Sequence, residues 1–234
     1  MLIDFHTHIL PSIDDGAKNI ETSIKMINEL TSQGVEKIVL TPHFYSNKIS
    51  INDFAKKREQ AYNYLISNSN VIKENLILAS ETYFTDYIFN NKDISDLYIG
   101  KTKYILTELP YNESITLRFT EKIDKFIYTY NITPIIAHVE RYPDVINNTK
   151  VYQKLLDLGC LFQMNLLSLD KGFFKRKKLF KLIKSEFIHL VGTDCHNLTS
   201  RAPVYKKYSD LIIQKVGIDA FNTICNNAKK IINE

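Results

Sequence analysis

The sequence opens with a short apolar run, Leu2 to Phe5, that ends in His6-x-His8. In extended backbone, residues two apart point to the same side, so both imidazoles face one point beyond the strand end. Neutral imidazole is a common metal ligand. Asp14 and Asp15 follow within reach, and Gly16 lets the chain turn. The arrangement then recurs. Apolar runs end at His43, Glu81, Glu108 and His138, and a last one is followed, after Thr193, by Asp194 and His196. Five of the six histidines fall just past such a run, and only His189 sits inside one. Each alone reads as a surface histidine or a helix-capping acid; together they read as a metal-binding set. With an acid from the Asp14-Asp15 pair there are too many donors for one ion, so two or three divalent cations are expected. Mixed imidazole and carboxylate donors with no thiolate suit Mn²⁺, Fe²⁺ or Zn²⁺. A carboxylate such as Glu81 can bridge two ions, and ions about 3.5–4 Å apart can clamp the attacking and leaving oxygens of a phosphoryl displacement. Arg141 lies three residues past His138, and Arg201 just beyond His196. Planar guanidinium pairs with phosphate oxygens in bidentate fashion, so both are candidate phosphate binders.

The elements that must position these residues alternate. Strands are expected at Leu2 to Phe5, Lys37 to Thr41, Leu76 to Ala79, Tyr104 to Thr107, Pro134 to Ala137, Leu161 to Asn165 and Ile188 to Gly192. Between them, Ile20, Ile24, Ile27 and Leu30 fall at helical spacing, with Asn19 as N-cap and Gly34 as stop. Further helices are expected after Asn52-Asp53, over Phe119 to Tyr130, Val151 to Leu158 and Phe173 to Ser185, and twice after Pro203. Thr82 to Gly100 reads as irregular structure or a short helix. Strand-helix alternation predicts a parallel α/β sheet with right-handed crossovers. The repeated unit favours a barrel over an open sheet, and in parallel barrels functional side chains gather at the C-terminal strand ends. No repeat or linker divides the chain, so residues 1–234 read as one domain.

Composition narrows the class. A hydrophobic fraction of 44% is ample for a core, and a net charge of +4 is too weak to indicate nucleic acid. Cys160, Cys195 and Cys225 show no CxxC spacing and leave one odd, which argues against a disulfide framework. No basic segment precedes a long apolar one, and no apolar run approaches the roughly 18 residues of a membrane span. A protein of the reducing cytoplasm, without a transmembrane segment, is expected, and a homo-oligomer is compatible with the sequence.

Taken in order, Asp4-Phe-His-Thr-His8, Asp14-Asp-Gly16, Thr41-Pro-His43, Glu81, Glu108, Thr133-Pro-Ile-Ile-Ala-His-Val-Glu-Arg141 and Asp194-Cys-His-Asn197 with Arg201 form a specific signature. It resembles the PHP (polymerase and histidinol phosphatase) family, most closely the bacterial protein-tyrosine phosphatases encoded with capsule or exopolysaccharide genes. The resemblance implies a distorted, TIM-like (β/α)₇ barrel with three metals, most often Mn²⁺. It implies His6, His8, Glu81 and Asp194 around one ion, Glu81, His43 and His138 around a second, and Asp15, Glu108 and His196 around the third. Arg141 and Arg201 fall where the family binds phosphate. The implied substrate is phosphotyrosine on the tyrosine-rich tail of a bacterial tyrosine kinase that controls polysaccharide export.

Other readings compete. Cys195-His-Asn-Leu-Thr-Ser-Arg201 satisfies C-x₅-R, the pattern of cysteine-based tyrosine phosphatases. The intervening residues contain no glycine for a close phosphate cradle, and acidic surroundings would raise the thiol pKa. Histidinol phosphate or another small phosphomonoester would use the same metals. A metal-dependent deoxyribonuclease also opens with His-x-His, but its substrate calls for a more basic surface. A non-catalytic docking module would need fewer donors. The run Lys175-Arg-Lys-Lys178 reads as a solvated helix face or as an attractor of an acidic, phosphorylated tail.

Overall fold

The computed structural model describes residues 1–233. Each apolar run becomes a short strand with polar residues at or just past its end. β1 is Leu2–Thr7, β2 Val35–Leu40, β3 His43–Tyr45, β4 Leu76–Leu78, β5 Glu81–Tyr83, β6 Tyr104–Glu108, β7 Thr133–Ile136, β8 Leu161–Asn165 and β9 Leu190–Gly192. All pairings are parallel, in two sheets ordered β1-β2-β4 and β3-β5-β6-β7-β8-β9.

β3 and β5 continue the lines of β2 and β4 after two-residue interruptions. Pro42 lacks an N–H and cannot donate to the ladder. Ala79 N still donates to Leu40 O at 2.9 Å and Glu81 N to Pro42 O at 3.0 Å, so the two lines stay in step across the gap. The nine strands thus occupy the seven positions that the alternation predicts. The first and last positions meet through one isolated bridge, Thr7 to Cys195. There Asp194 N donates to His6 O at 2.7 Å and His8 N to Cys195 O at 2.9 Å.

The helices are α1 Ile20–Ser32, α2 Ile51–Ser67, α3 Leu117–Tyr130, α4 Pro143–Ile146, α5 Thr149–Asp157, α6 Phe173–Lys184, α7 Lys206–Lys215 and α8 Ile218–Asn233. Asn19 caps α1 by accepting from Thr22 N at 2.9 Å, as its spacing predicts. α2 starts at Ile51, three residues earlier than a helix following Asn52-Asp53 would. Its cap is Ser50, which accepts from Asp53 N at 3.1 Å and donates to Asp53 Oδ2 at 2.7 Å. This reciprocal pairing is local chemistry that apolar periodicity does not report. Thr82 to Gly100 divides into the end of β5 and two 3₁₀ turns, Asp86–Asn90 and Ser95–Leu97. Among the described residues no helix is long and apolar enough to cross a membrane.

Two apolar clusters follow from this layout. The larger packs the helices onto the outer strand faces. In the smaller, Ile3 and Phe5 of β1 meet Val39, Leu106, Ile135 and Leu190 from four other strands, with Ala228 and Ile231 of α8 against them. The polar ends of the strands rise from this second cluster. β9 lies so close to β1 that a Cβ on Gly192 would fall 2.6 Å from His6 Cβ and 2.7 Å from His6 N. Gly192→Ala should therefore destabilise the fold by about 1–3 kcal/mol, read as a lower urea midpoint. An unchanged midpoint would contradict this close approach.

Candidate metal centre

His6 and His8 share one side of the β1 line, and their Nε2 atoms lie 3.1 Å apart. Thr7, between them, turns away and donates to Val39 O at 2.8 Å. The outer nitrogen of each imidazole is engaged. His6 Nδ1 lies 3.2 Å from Gln163 Oε1, and His8 Nδ1 lies 2.7 Å from Asp14 Oδ2. Engaging Nδ1 leaves Nε2 to face the centre, the arrangement that orients metal-ligating histidines. Asp14 also accepts from Gly16 N at 2.9 Å and His43 N at 3.1 Å. A Cβ on Gly16 would lie 2.1 Å from His8 O, so only glycine allows this loop to close over His8.

Glu81, the first residue of β5, stands at the middle. Its Oε2 lies 3.2 Å from His6 Nε2, 3.2 Å from His8 Nε2 and 2.9 Å from His43 Nδ1, and its Oε1 lies 2.8 Å from His138 Nε2. Asp194 Oδ1 is 3.5 Å from Nε2 of both His6 and His8. Asp15 Oδ1 is 3.4 Å from Nε2 of both His43 and His196. Glu108 Oε1 is 3.6 Å from His138 Nε2. Donor atoms within 4.8 Å of one another form three overlapping groups: His6, His8 and Glu81; His43, Glu81 and Glu108; and His8, Asp15, His43 and His196. All nine residues singled out from the sequence come together here. The grouping differs from the partition implied by the resemblance, because Glu108 sits with Glu81 and His43, away from Asp15 and His196.

The donors fit cations. Eight of the nine side chains are at most 16% exposed, and only Asp15, at 65%, reaches solvent. Among the described residues, Glu81 Oε2, His43 Nδ1 and His196 Nε2 are buried without a hydrogen-bond partner. Buried polar atoms are rarely left so, and an uncompensated buried carboxylate is especially unfavourable. Divalent ions among these atoms would satisfy all three. Burial opposes charge on Glu81, but His6 and the other imidazoles hold its carboxyl well below the usual range. Burial, helped by the nearby Glu81 charge, raises Glu108 to about 7. Burial also disfavours charge on His8, yet Asp14 and Glu81 bring it up to about 10, whereas burial and the His8 charge push His196 down to about 3.

Arg141 and Arg201 converge on Asp194. Arg141 donates to its Oδ2 at 2.7 Å and Arg201 to its Oδ1 at 2.6 Å. Both side chains keep about one third of their surface exposed, 34% and 32%, at the rim of the centre. Two of the candidate ligands also hold left-handed backbone without being glycine: His138 at φ +33° and Asp194 at φ +54°. Such geometry persists only where surrounding contacts impose it.

Three supporting residues, Gln163, Asn165 and Tyr111, have no place in the sequence reading, and a fourth, Asp4, enters it only as part of a motif. On β8, Gln163 contacts His6 and accepts from His138 N at 2.8 Å, and Asn165 donates to Asp194 Oδ2 at 2.5 Å. Their signal was present: two amides at i and i+2 within an otherwise apolar strand. Tyr111, whose hydroxyl lies 3.4 Å from His138 Nδ1 and accepts from Arg141 at 3.4 Å, sits in a loop with no pattern to mark it. Asp4 is buried and accepts from Thr193 Oγ1 at 2.6 Å, fixing the turn before Asp194. Cys195 is fully buried, and burial together with Asp4 raises its thiol well above the usual range, which removes the cysteine nucleophile.

With this geometry in place, comparisons with known proteins are informative. The family model for capsular polysaccharide synthesis, CpsB/CapC, matches residues 2–233. CapC of Staphylococcus aureus is 32% identical over 99% of this chain and 91% of its own. Tyrosine-protein phosphatase CpsB of Streptococcus pneumoniae is 30% identical over 99% of this chain and 98% of its own. A chain from the crystal structures of YwqE from Bacillus subtilis and CpsB from Streptococcus pneumoniae, described as unique metal-dependent tyrosine phosphatases, matches with a TM-score of 0.81 at 24% identity. It covers 99% of this chain and 94% of that one, and at this identity the likeness speaks for the fold.

Glu81→Gln keeps side-chain volume and removes the central charge. Equilibrium dialysis with Mn²⁺ should show affinity reduced by more than about tenfold, and Gln163→Ala should weaken it by roughly 10–100-fold through the freed His6 ring. Wild-type metal content in Glu81→Gln would contradict the central placement of this carboxylate.

Proposed function

The chain belongs to the CpsB/CapC family of capsular polysaccharide synthesis, and from that premise we propose that it is a metal-dependent protein-tyrosine phosphatase, a phosphoric monoester hydrolase. The observation that carries this reading is the buried Glu81 carboxylate ringed by imidazoles, with two arginines at the rim beside it. The residues that would hold three divalent ions are His6, His8, Asp15, His43, Glu81, Glu108, His138, Asp194 and His196; the donors suit Mn²⁺, Fe²⁺ or Zn²⁺, and the family resemblance favours Mn²⁺. The seven strand positions, the apolar interior shared by β1, β2, β6, β7 and β9, and the Thr7–Cys195 bridge support a distorted (β/α)₇ barrel forming a single domain.

When bound, such ions supply a nucleophilic oxygen at neutral pH and neutralise charge on the phosphoryl oxygens. The chain supplies the rest. Arg141 and Arg201 approach Asp194 from its two oxygens and bind the phosphate there in bidentate fashion, aligning it for displacement. Burial pushes the Tyr111 hydroxyl up to about 12, so it stays protonated at the mouth, where it accepts from Arg141. The tyrosyl oxygen, with a parent pKa of about 10, leaves more readily than an alkoxide and needs less protonation. The substrate is phosphotyrosine on the tyrosine-rich tail of a bacterial tyrosine kinase in polysaccharide export, met in the cytoplasm.

Chelator-stripped protein should release no phosphate from a phosphotyrosyl peptide until Mn²⁺ is added. Arg201→Ala should raise KM about tenfold or more by loss of a charged hydrogen bond, and Cys195→Ser should keep most activity. Turnover without metal, or its loss in Cys195→Ser with metal still bound, would contradict this mechanism. Release from histidinol phosphate alone would redirect the reading to a small phosphomonoester.

A further inference from the structure

α6 carries six cationic side chains and no acidic one. Two of them, Lys175 and Lys178, together with Lys171 just before the helix, line a cavity of about 430 Å³ whose far wall includes Arg141. Among the described residues, none of Lys171, Lys175 and Lys178 forms an ion pair, whereas Lys122, Lys206 and Lys207 do. Lys178 meets only the neutral side-chain oxygen of Asn147. The one acid in the wall, Glu140, is tied inward, accepting from Ser168 Oγ at 2.7 Å and Asn165 N at 3.3 Å. The groove is therefore a cationic trough without its counter-charge.

Its position gives it meaning. Arg141 lines the groove and also reaches Asp194 at the metal centre. A phosphate held by Arg141 and Arg201 leaves the neighbouring residues of the same peptide beside the trough, because an extended chain advances about 3.3 Å per residue.

We propose that this groove binds a second anionic side chain of the phosphotyrosyl substrate, a carboxylate or another phosphate, through Lys171, Lys175 and Lys178. The inference rests on the phosphatase reading and adds a charge preference to it. An anionic membrane is the rival occupant, since Phe173 and Phe174 are 65% and 85% exposed on the same helix. A peptide is favoured because Phe173 lines a separate hollow with Arg176 and Lys177, while the three lysines share their cavity with Arg141.

The test uses Mn²⁺-loaded protein and three phosphotyrosyl peptides: neutral flanks, Asp/Glu flanks, and a second phosphotyrosine. Wild type should show a KM about three- to tenfold lower for one or both anionic peptides than for the neutral one. The triple variant Lys171→Gln/Lys175→Gln/Lys178→Gln should erase that difference with kcat unchanged, and leave KM unchanged for the neutral peptide and for a small aryl phosphate. Which anionic peptide gains separates carboxylate from phosphate as the ligand. No charge preference in wild type, or an undiminished one in the variant, would overturn the proposal. So would loss of binding to phosphatidylglycerol vesicles with peptide preference intact, which would assign the lysines to a lipid surface. If wild type turns over none of the peptides, the phosphatase reading fails. The groove is then decided by fluorescence-anisotropy binding of the same peptides to wild type and variant, by the same criterion.

Discussion

One buried carboxylate sets the conditions that the remaining structure has to meet. Glu81 is 1% exposed and has four imidazoles within 3.2 Å. A lone carboxylate in that position would be strongly disfavoured, and hydrogen bonds alone do not rescue it, because Oε2 has no partner with the right geometry. Its neighbours come from β1, β3 and the turn after β7, so the charge is balanced only if those strand ends stay in register. The ladder breaks before β3 and β5, the glycine contact between β9 and β1, and the left-handed backbone at His138 and Asp194 all serve that register. Strain at the ligands is tolerated because the apolar cluster beneath them holds the strands.

Much of this was legible in the sequence because the physics involved is short-range. Side-chain alternation fixes which way His6 and His8 point, and apolar runs of four or five residues mark the strands on which Glu108 and His138 end. The convergence of nine donors required only that parallel strands present their C-terminal ends on one side. What stayed hidden depends on contacts between distant segments. The resemblance already implies Glu81 between two ions; what it does not give is that Glu108 groups with Glu81 and His43. Gln163 and Asn165 carry amides in place of the imidazoles and carboxylates that mark the other positions, and they hold His6 and Asp194. Tyr111 has no periodic context, and its stacking against His138 and Tyr142, at ring separations of 6.1 and 5.4 Å, exists only in the folded chain.

Arginine placement joins binding to chemistry. Arg141 and Arg201 grip opposite oxygens of Asp194, so the carboxylate that serves as a candidate ligand also orients the two candidate phosphate-binding groups. Asn165 restrains the same carboxylate from β8. The proposed phosphate recognition would thereby be tied to the integrity of the centre, and Arg141 lines the lysine-bearing groove as well. A mildly basic chain, +4 overall, places Lys171, Lys175 and Lys178 together in the groove that Arg141 also lines.

The most direct test of the central claim is anomalous X-ray diffraction at the manganese edge from crystals of the Mn²⁺-loaded protein. The expected result is adjacent anomalous peaks ligated by the residues around Glu81, with that carboxylate touching more than one of them. Peaks elsewhere on the surface, or a single ion that Glu81 does not touch, would contradict the cluster and the function built on it.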